Sequence, residues 1–171
     1  MELRRSRRGE ENAVLQLYRS VLGEEFCVWN EYYPGMEEIR ADLGSGGLFL
    51  LCEGETVMGA ISAVPENELD GMNCWRIREH AREIARVVIG KEYRGRGLAG
   101  EMVKLLLPIL RREGAESVHL SAATGNLPAV RTYEKLGFER VGEADMYEGR
   151  YYLMELSLRE EEDNDILRGG R

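Results

Sequence analysis

A glycine-rich turn between an apolar run and an amphipathic stretch constrains this chain more than any other feature. The apolar run ends at Ile89, and positions 94–100 read Arg-Gly-Arg-Gly-Leu-Ala-Gly before helical periodicity begins. Glycines let backbone N–H groups approach a ligand, and the helix that follows directs the positive end of its dipole to the same place. The order of strand, turn and helix therefore predicts an α/β fold with a diphosphate-binding turn.

Two kinds of diphosphate turn fit these residues. Gly95, Gly97 and Gly100 have the spacing of the dinucleotide fingerprint, in which a carboxylate about 20 residues further on binds the ribose. The next apolar strand, at 117–124, has no Asp or Glu at its far end. The missing carboxylate counts against a dinucleotide site.

The second interpretation depends on residues further along the chain. Arg94, Gly97 and Ala99 form the pattern Arg-x-x-Gly-x-Ala, and residues 126–138 supply a second block with Tyr133 four residues before Gly-Phe. The two blocks resemble the coenzyme A loop and the second signature of the GNAT superfamily of N-acetyltransferases. The resemblance extends over nearly the whole chain up to position 158 and is least specific in the N-terminal third.

The resemblance implies a fold, an activity and a set of ligand contacts. The fold is α/β, with a mixed central sheet of six or seven strands, splayed at the centre and flanked by about four helices, in one domain at 1–158. The activity is acetyl transfer from acetyl-CoA to a primary amine of a small molecule or of a protein, without a metal. A noncatalytic acyl-CoA sensor or scaffold is the alternative. The implied coenzyme A contacts are Val87, Ile89, Arg94, Gly95, Arg96, Gly97, Leu98, Ala99, Gly100 and Asn126.

Acetyl transfer to an amine needs a proton acceptor, because an amine with a pKa near ~10.4 is mostly protonated at neutral pH. The resemblance points to Glu83, which precedes Arg94 by eleven positions, as in some members of the family. Glu79 and His80 are nearby alternatives, and a chain of water molecules is another. A carboxylate at a solvated strand end is the purely structural interpretation of Glu83.

A proton donor is needed for the departing thiolate. Tyr133 stands where the family places such an acid, although a tyrosine on this helix is also a good core residue. Asn126 precedes a proline-containing helix and suits a helix cap as well as a contact to the pantetheine arm. Both pairs of roles stay open from the sequence.

The acceptor pocket is the least determined part of the sequence. In the family, the region of the aromatic segment 26–33 borders the acceptor, so Trp29, Tyr32 and Tyr33 are candidate substrate contacts. The segment 65–78 contains Trp75, and its acidic residues and glycine predict an exposed loop that contacts substrate. Packing of these aromatic residues against the sheet is the alternative interpretation.

Composition limits the partners. A net charge of −8 counts against nucleic acid and anionic membranes and suits a cationic amine. The three cysteines form no Cys-x-x-Cys pair, which together with the lack of an apolar signal core predicts a cytoplasmic protein with buried thiols. Residues 159–171 read as an acidic, disordered tail. A homodimer is expected only because dimers are common in the family.

The remaining pattern predicts an ordered series of elements. Helices are expected after Gly9 and after Pro34, at 97–112 and at 126–136. Hairpins are expected from strands 48–52 and 56–64 and from strands 139–144 and 151–158. The strand at 116–123 should run parallel to the one ending at Ile89, because a helix joins them.

Overall fold

A single mixed sheet forms the centre of the molecule in the computed structural model, which describes residues 1–65, 69 and 71–160. Seven strands appear in the described ranges, in the order β1-β2-β3-β4-β5-β7-β6. All neighbours are antiparallel except β4 and β5, which the intervening helix makes parallel. The strands are β1 Glu2–Arg5, β2 Leu48–Glu53, β3 Thr56–Val64, β4 Ala81–Ile89, β5 Ser117–Ala123, β6 Glu139–Met146 and β7 Gly149–Ser157.

Helices cover both faces of the sheet. They are α1 Glu11–Ser20, α2 Met36–Gly44, α3 Leu98–Arg112 and α4 Leu127–Lys135, and a short 3-10 turn at Lys91–Tyr93 precedes α3. The apolar sides of α1 and α2 pack on one face, where Val14, Ile39 and Leu50 are buried together. The opposite face packs against α3 and α4 in a larger cluster that includes Met102 and Val130.

The sheet separates in its middle. The parallel strands β4 and β5 pair only between Ala81–Glu83 and residues 117–119, although both strands continue well beyond that point. The inner edges of the two strands then carry backbone groups with no strand partner, which is a place for a ligand to add hydrogen bonds. This opening is the central splay that the resemblance implies.

Strand β4 also contains a bulge. Its register with β3 shifts between the pairs Ala60–Val88 and Ser62–Ala85, so one extra residue of β4 stands opposite Ile61. Arg86, inside this segment, has φ 48°, the left-handed region that a non-glycine residue rarely adopts. The bulge changes the direction of side chains at the point where the strands separate.

The fold predicted from the sequence is confirmed. The sheet and the flanking helices have the expected number and order, and β5 is parallel to β4. The assignment of 1–158 to a single domain remains a prediction. The predicted acidic tail falls outside the described residues except for Arg159 and Glu160. None of the helices in the described ranges is both long enough and apolar enough to cross a bilayer.

Candidate active site

A cleft of about 940 Å³ opens where β4 and β5 separate. The glycine-rich turn, α4 and residues from the segment between α1 and α2 line this cleft. We call two groups of lining residues the cofactor end, which includes residues 93–95 and 97–100, Asn126 and Tyr133, and the acceptor end, which includes Trp29, Tyr33, Asp42 and Arg86. Glu83 and the other residues of β4 from Ile84 to Ile89 also line the cleft.

The cofactor end presents bare backbone. Gly95 and Gly97 have φ of 74° and 70°, and a side chain at either position would meet no other atom within 4 Å. Among the described residues, no acceptor bonds the N–H groups of Gly95 through Gly100. Because Gly97 is also the residue before α3, these donors lie at the positive end of the helix dipole. The arrangement fits a diphosphate.

Charged side chains border the same turn. Glu24 lies 2.8 Å from Lys91 Nζ and 3.4 Å from an Nη atom of Arg94. The hydrogen bond from Lys91, together with its charge, lowers the pKa of Glu24. Glu24 therefore competes with any anion for these two cations.

Four predicted coenzyme A contacts in the turn differ in burial and in whether they line the cleft. Leu98 is buried and Ala99 is half-buried, and both line the cleft. A Cβ on Gly100 would come within 2.9 Å of Thr132 Cγ2, so this glycine allows α3 to approach α4. Arg96 is exposed and does not line the cleft, unlike the other predicted contacts.

Tyr133 and Asn126 lie on the α4 side of the cleft. Burial raises the pKa of Tyr133 to about 12, and its ring packs edge-to-face against Phe138 with centroids 5.8 Å apart. The Asn126 side chain accepts a hydrogen bond from the N–H of Ala129 at 3.2 Å and so caps α4. The cap is thus a structural role of Asn126, and its contact to a ligand stays a prediction.

The predicted site residues of β4 all line the cleft. Glu83 is half-buried, lines the cleft and stands at the last pair before the strands separate. Val87 and Ile89 follow on the unpaired part of the strand and also line the cleft. The alternatives Glu79 and His80 are exposed and lie before β4, outside the cleft lining. Of the three candidates Glu79, His80 and Glu83, only Glu83 lines the cleft, and its role as a base stays a prediction.

The acceptor end is held by a buried ion pair. Arg86 donates from Nε and Nη2 to the two carboxylate oxygens of Asp42, at 2.8 and 2.7 Å. Asp42 is only 3% exposed and also accepts a hydrogen bond from Ser62 Oγ at 2.5 Å. Burial alone would lower the pKa of Arg86, but the hydrogen bonds and charge of Asp42 outweigh it and raise the pKa. The pair connects α2 to the bulge of β4.

Sequence reasoning missed both members of this pair. A signal was present, because Arg86 interrupts the apolar run from Ile84 to Ile89 and Asp42 follows the buried Ile39 on the apolar side of α2. Each anomaly alone suggests only a surface residue. Their partnership depends on a contact between positions 44 residues apart in sequence.

Two predicted acceptor contacts are corrected by the structure. Tyr32 is 81% exposed and does not line the cleft, because Asn30 Oδ1 accepts the N–H groups of Tyr32 and Tyr33 and bends the segment. The other two predicted contacts of this segment, Trp29 and Tyr33, both line the cleft.

The second correction concerns Trp75. Half of the described residues of its loop are exposed, but the Trp75 side chain is buried and lies outside the cleft lining. Its ring stacks on His119 at 4.0 Å, and Nε1 donates to the carbonyl of Leu69 at 2.7 Å. The Trp75 indole thus covers a buried polar group instead of facing solvent, and its contact to a substrate stays a prediction.

Comparison with known proteins gives a family match. A model of the acetyltransferase (GNAT) family matches residues 13–138. Mycothiol acetyltransferase from Corynebacterium glutamicum is 45% identical over 65 residues, which is 36% of this chain and 22% of that protein. The chain thus spans well under two thirds of that relative's length.

Solved structures show the same fold. The structure of yncA from Salmonella typhimurium, described as a putative acetyltransferase with its cofactor acetyl-CoA, has a TM-score of 0.74 at 19% identity, covering 97% of this chain and 98% of that one. A ribosomal-protein-alanine N-acetyltransferase from Brucella melitensis has a TM-score of 0.74 at 17% identity, covering 92% and 100%.

Proposed function

The chain belongs to the acetyltransferase (GNAT) family, and we propose that it transfers an acetyl group from acetyl-CoA to a primary amine by direct attack. The observation that carries the proposal is the row of backbone N–H donors from Gly95 to Gly100, which have no acceptor in the described chain and border the same cleft as Tyr133. Such a row fits the diphosphate of coenzyme A. It does not by itself identify the amine.

The reaction assigns a task to each end of the cleft. The acceptor nitrogen forms a bond to the acetyl carbon, the carbon–sulfur bond breaks, and the electron pair of that bond leaves on sulfur. Glu83, directly or through water, takes the proton that the amine loses. Backbone N–H groups on the unpaired edge of β4, near Val87, stabilise the charge that develops on the acetyl oxygen.

Tyr133 donates a proton to the departing sulfur. Its pKa of about 12 keeps the phenol protonated throughout the neutral range, so the donor is available at every pH where the enzyme is folded and the amine can react. Because the pKa is raised rather than lowered, loss of the proton should not reduce the rate between about pH 7 and pH 10. The rate should instead fall as the pH drops below the amine pKa of about 10, because the protonated amine cannot attack the thioester.

The experiment is thiol release from acetyl-CoA with a panel of primary amines, combined with calorimetric titration of acetyl-CoA. Tyr133→Phe should lower kcat by about 100-fold, because general acid catalysis of this kind contributes about that much. Its affinity for acetyl-CoA should stay within about twofold of the parent, because phenylalanine keeps the packing against Phe138. Tyr152→Phe, a change outside the cleft lining, is the matched control and should retain full activity.

The noncatalytic alternative predicts a different result. A sensor or scaffold would bind acetyl-CoA with the same affinity in all three proteins and release no thiol with any amine. Binding without turnover across a broad panel would refute the enzymatic proposal. A Tyr133→Phe variant with unchanged kcat would remove only the acid role of Tyr133.

A further inference from the structure

The guanidinium of Arg86 has hydrogen-bonding capacity that Asp42 does not use. Asp42 occupies the side formed by Nε and Nη2, whereas Nη1 has only the hydroxyl of Tyr33, at 3.4 Å. A guanidinium carries more N–H donors than one carboxylate can accept, and the remaining donors of Nη1 and Nη2 have no acceptor among the described residues. These donors form the outer edge of a fork that matches a carboxylate.

This edge belongs to the cleft. Arg86, Tyr33 and Asp42 all line it, and the Arg86 side chain is 15% exposed, so the group is held by protein on one side and open on the other. The Asp42 carboxylate and its bond from Ser62 keep the guanidinium from turning away. A rigid, partly desolvated fork loses little freedom when it binds an anion.

A negatively charged side chain lies on the same strand as the positively charged Arg86. Glu83 precedes Arg86 by three positions on β4, and both line the cleft. Under the proposed function, Glu83 faces the acceptor amine. The strand therefore offers a negative group for an ammonium and a positive group for an anion, which is the charge pattern of a zwitterion.

We propose that the acceptor is a small α-amino acid whose carboxylate binds the outer edge of Arg86 while its amine lies toward Glu83. The proposal rests on the proposed acetyl transfer and names the substrate class of that site. Tyr33 contacts the fork and Trp29 lines the same cleft, so both offer apolar surface for the side chain of the amino acid. Polyamines and peptide N-termini that lack an adjacent carboxylate would leave the Arg86 donors unbound.

Matched acceptors test this directly. L-phenylalanine is compared with phenethylamine, and L-leucine with isoamylamine, in the thiol-release assay at several pH values so that differences in amine pKa are removed. The amino acid of each pair should have a kcat/KM at least about tenfold higher, because a site built around a charged hydrogen bond discriminates strongly against an analogue that lacks the partner. L-phenylalaninamide, which keeps the shape but not the charge, should behave like the amine.

Variants test whether the preference for amino acids over amines depends on the guanidinium of Arg86. Arg86→Lys keeps a positive charge but loses the planar edge, so the ratio of kcat/KM between the two members of a pair should fall about tenfold. Tyr33→Phe, at a half-exposed position that the fold does not require, should lower the same ratio about threefold. Arg140→Lys, an exposed β6 residue bonded to Glu134, is the matched control and should leave the ratio unchanged.

The outcomes separate the two proposals. Acetyl-CoA binding without turnover of any acceptor would overturn the proposed function itself. Turnover in which the amine equals or exceeds its amino acid, or in which a peptide N-terminus without an acidic side chain is preferred, would overturn the zwitterion proposal alone. Arg86→Lys losing activity equally on both members of a pair would also overturn it, because Arg86 would then act only through the fold.

Discussion

The two ends of the cleft offer different groups to a ligand: backbone N–H groups at the cofactor end and side chains at the acceptor end. The cofactor end is a continuous stretch of backbone, in which Gly95 and Gly97 have open space above them and N–H groups point outward. The acceptor end is made of side chains from separate elements, with Asp42 on α2, Arg86 on β4 and Tyr33 in the segment between the first two helices. The backbone of one short turn can bind a cofactor with little help from the rest of the sequence. Recognition of a particular acceptor needs side chains that the fold brings together from distant positions.

This contrast predicts that damage to the acceptor end costs stability, whereas damage to the cofactor end costs binding. The largest effect is expected for Asp42→Asn, because a buried Arg86 charge loses its partner. The free energy of unfolding should fall by about 3 kcal/mol, measured by urea denaturation. Glu143→Gln, which breaks an exposed pair with Arg150 of similar length, should cost under about 0.5 kcal/mol.

Equal losses in Asp42→Asn and Glu143→Gln would show that burial does not matter to the Asp42 pair. The contrast between the two ends would then fail for stability. Acetyl-CoA affinity of folded Asp42→Asn should stay within a few-fold of the parent, since Asp42 does not line the cofactor end.

Gly97→Val tests the cofactor end. A β-branched side chain at φ 70° is strained and stands in the open space over the turn, so acetyl-CoA affinity should fall by about 100-fold by calorimetry. Gly114→Val is the control, because Gly114 has φ 90° and the same open surroundings but lies beyond the far end of α3. Both variants should lose about 1–2 kcal/mol of stability, and only Gly97→Val should lose affinity.

Unchanged affinity in folded Gly97→Val would remove the turn from the binding site. Equal loss of affinity in both variants would instead indicate a general effect of strain at the ends of α3.

The smallest effect concerns the charges beside the turn. Glu24→Gln releases Lys91 and Arg94 for the ligand, so acetyl-CoA should bind about threefold more tightly at low salt, and the gain should shrink as salt is added. Glu25→Gln removes the same charge from the neighbouring exposed residue, which has no ion pair among the described residues, and should change affinity less. A larger gain from Glu25→Gln would show that the overall potential matters more than the contact.

Prediction from sequence works best where the signal is local. Glu83 on β4, Tyr133 on α4 and the turn at 94–100, apart from Arg96, line one cleft, because motif spacing reports on neighbouring elements. The roles of these residues stay predictions. Tyr32 and Trp75 lie outside the cleft lining, because Asn30 accepts the N–H of Tyr32 and the Trp75 ring stacks on the buried His119.

The sequence by itself determined the order of elements, the family and the bare backbone of the turn, because glycine spacing and apolar periodicity act over a few residues. Only the tertiary structure decided that Asp42 and Arg86 meet, that β4 bulges there and that the remaining donors of Arg86 face the cleft. Those facts depend on distant residues sharing one buried volume, where an unpaired charge is so unfavourable that the partner fixes the conformation.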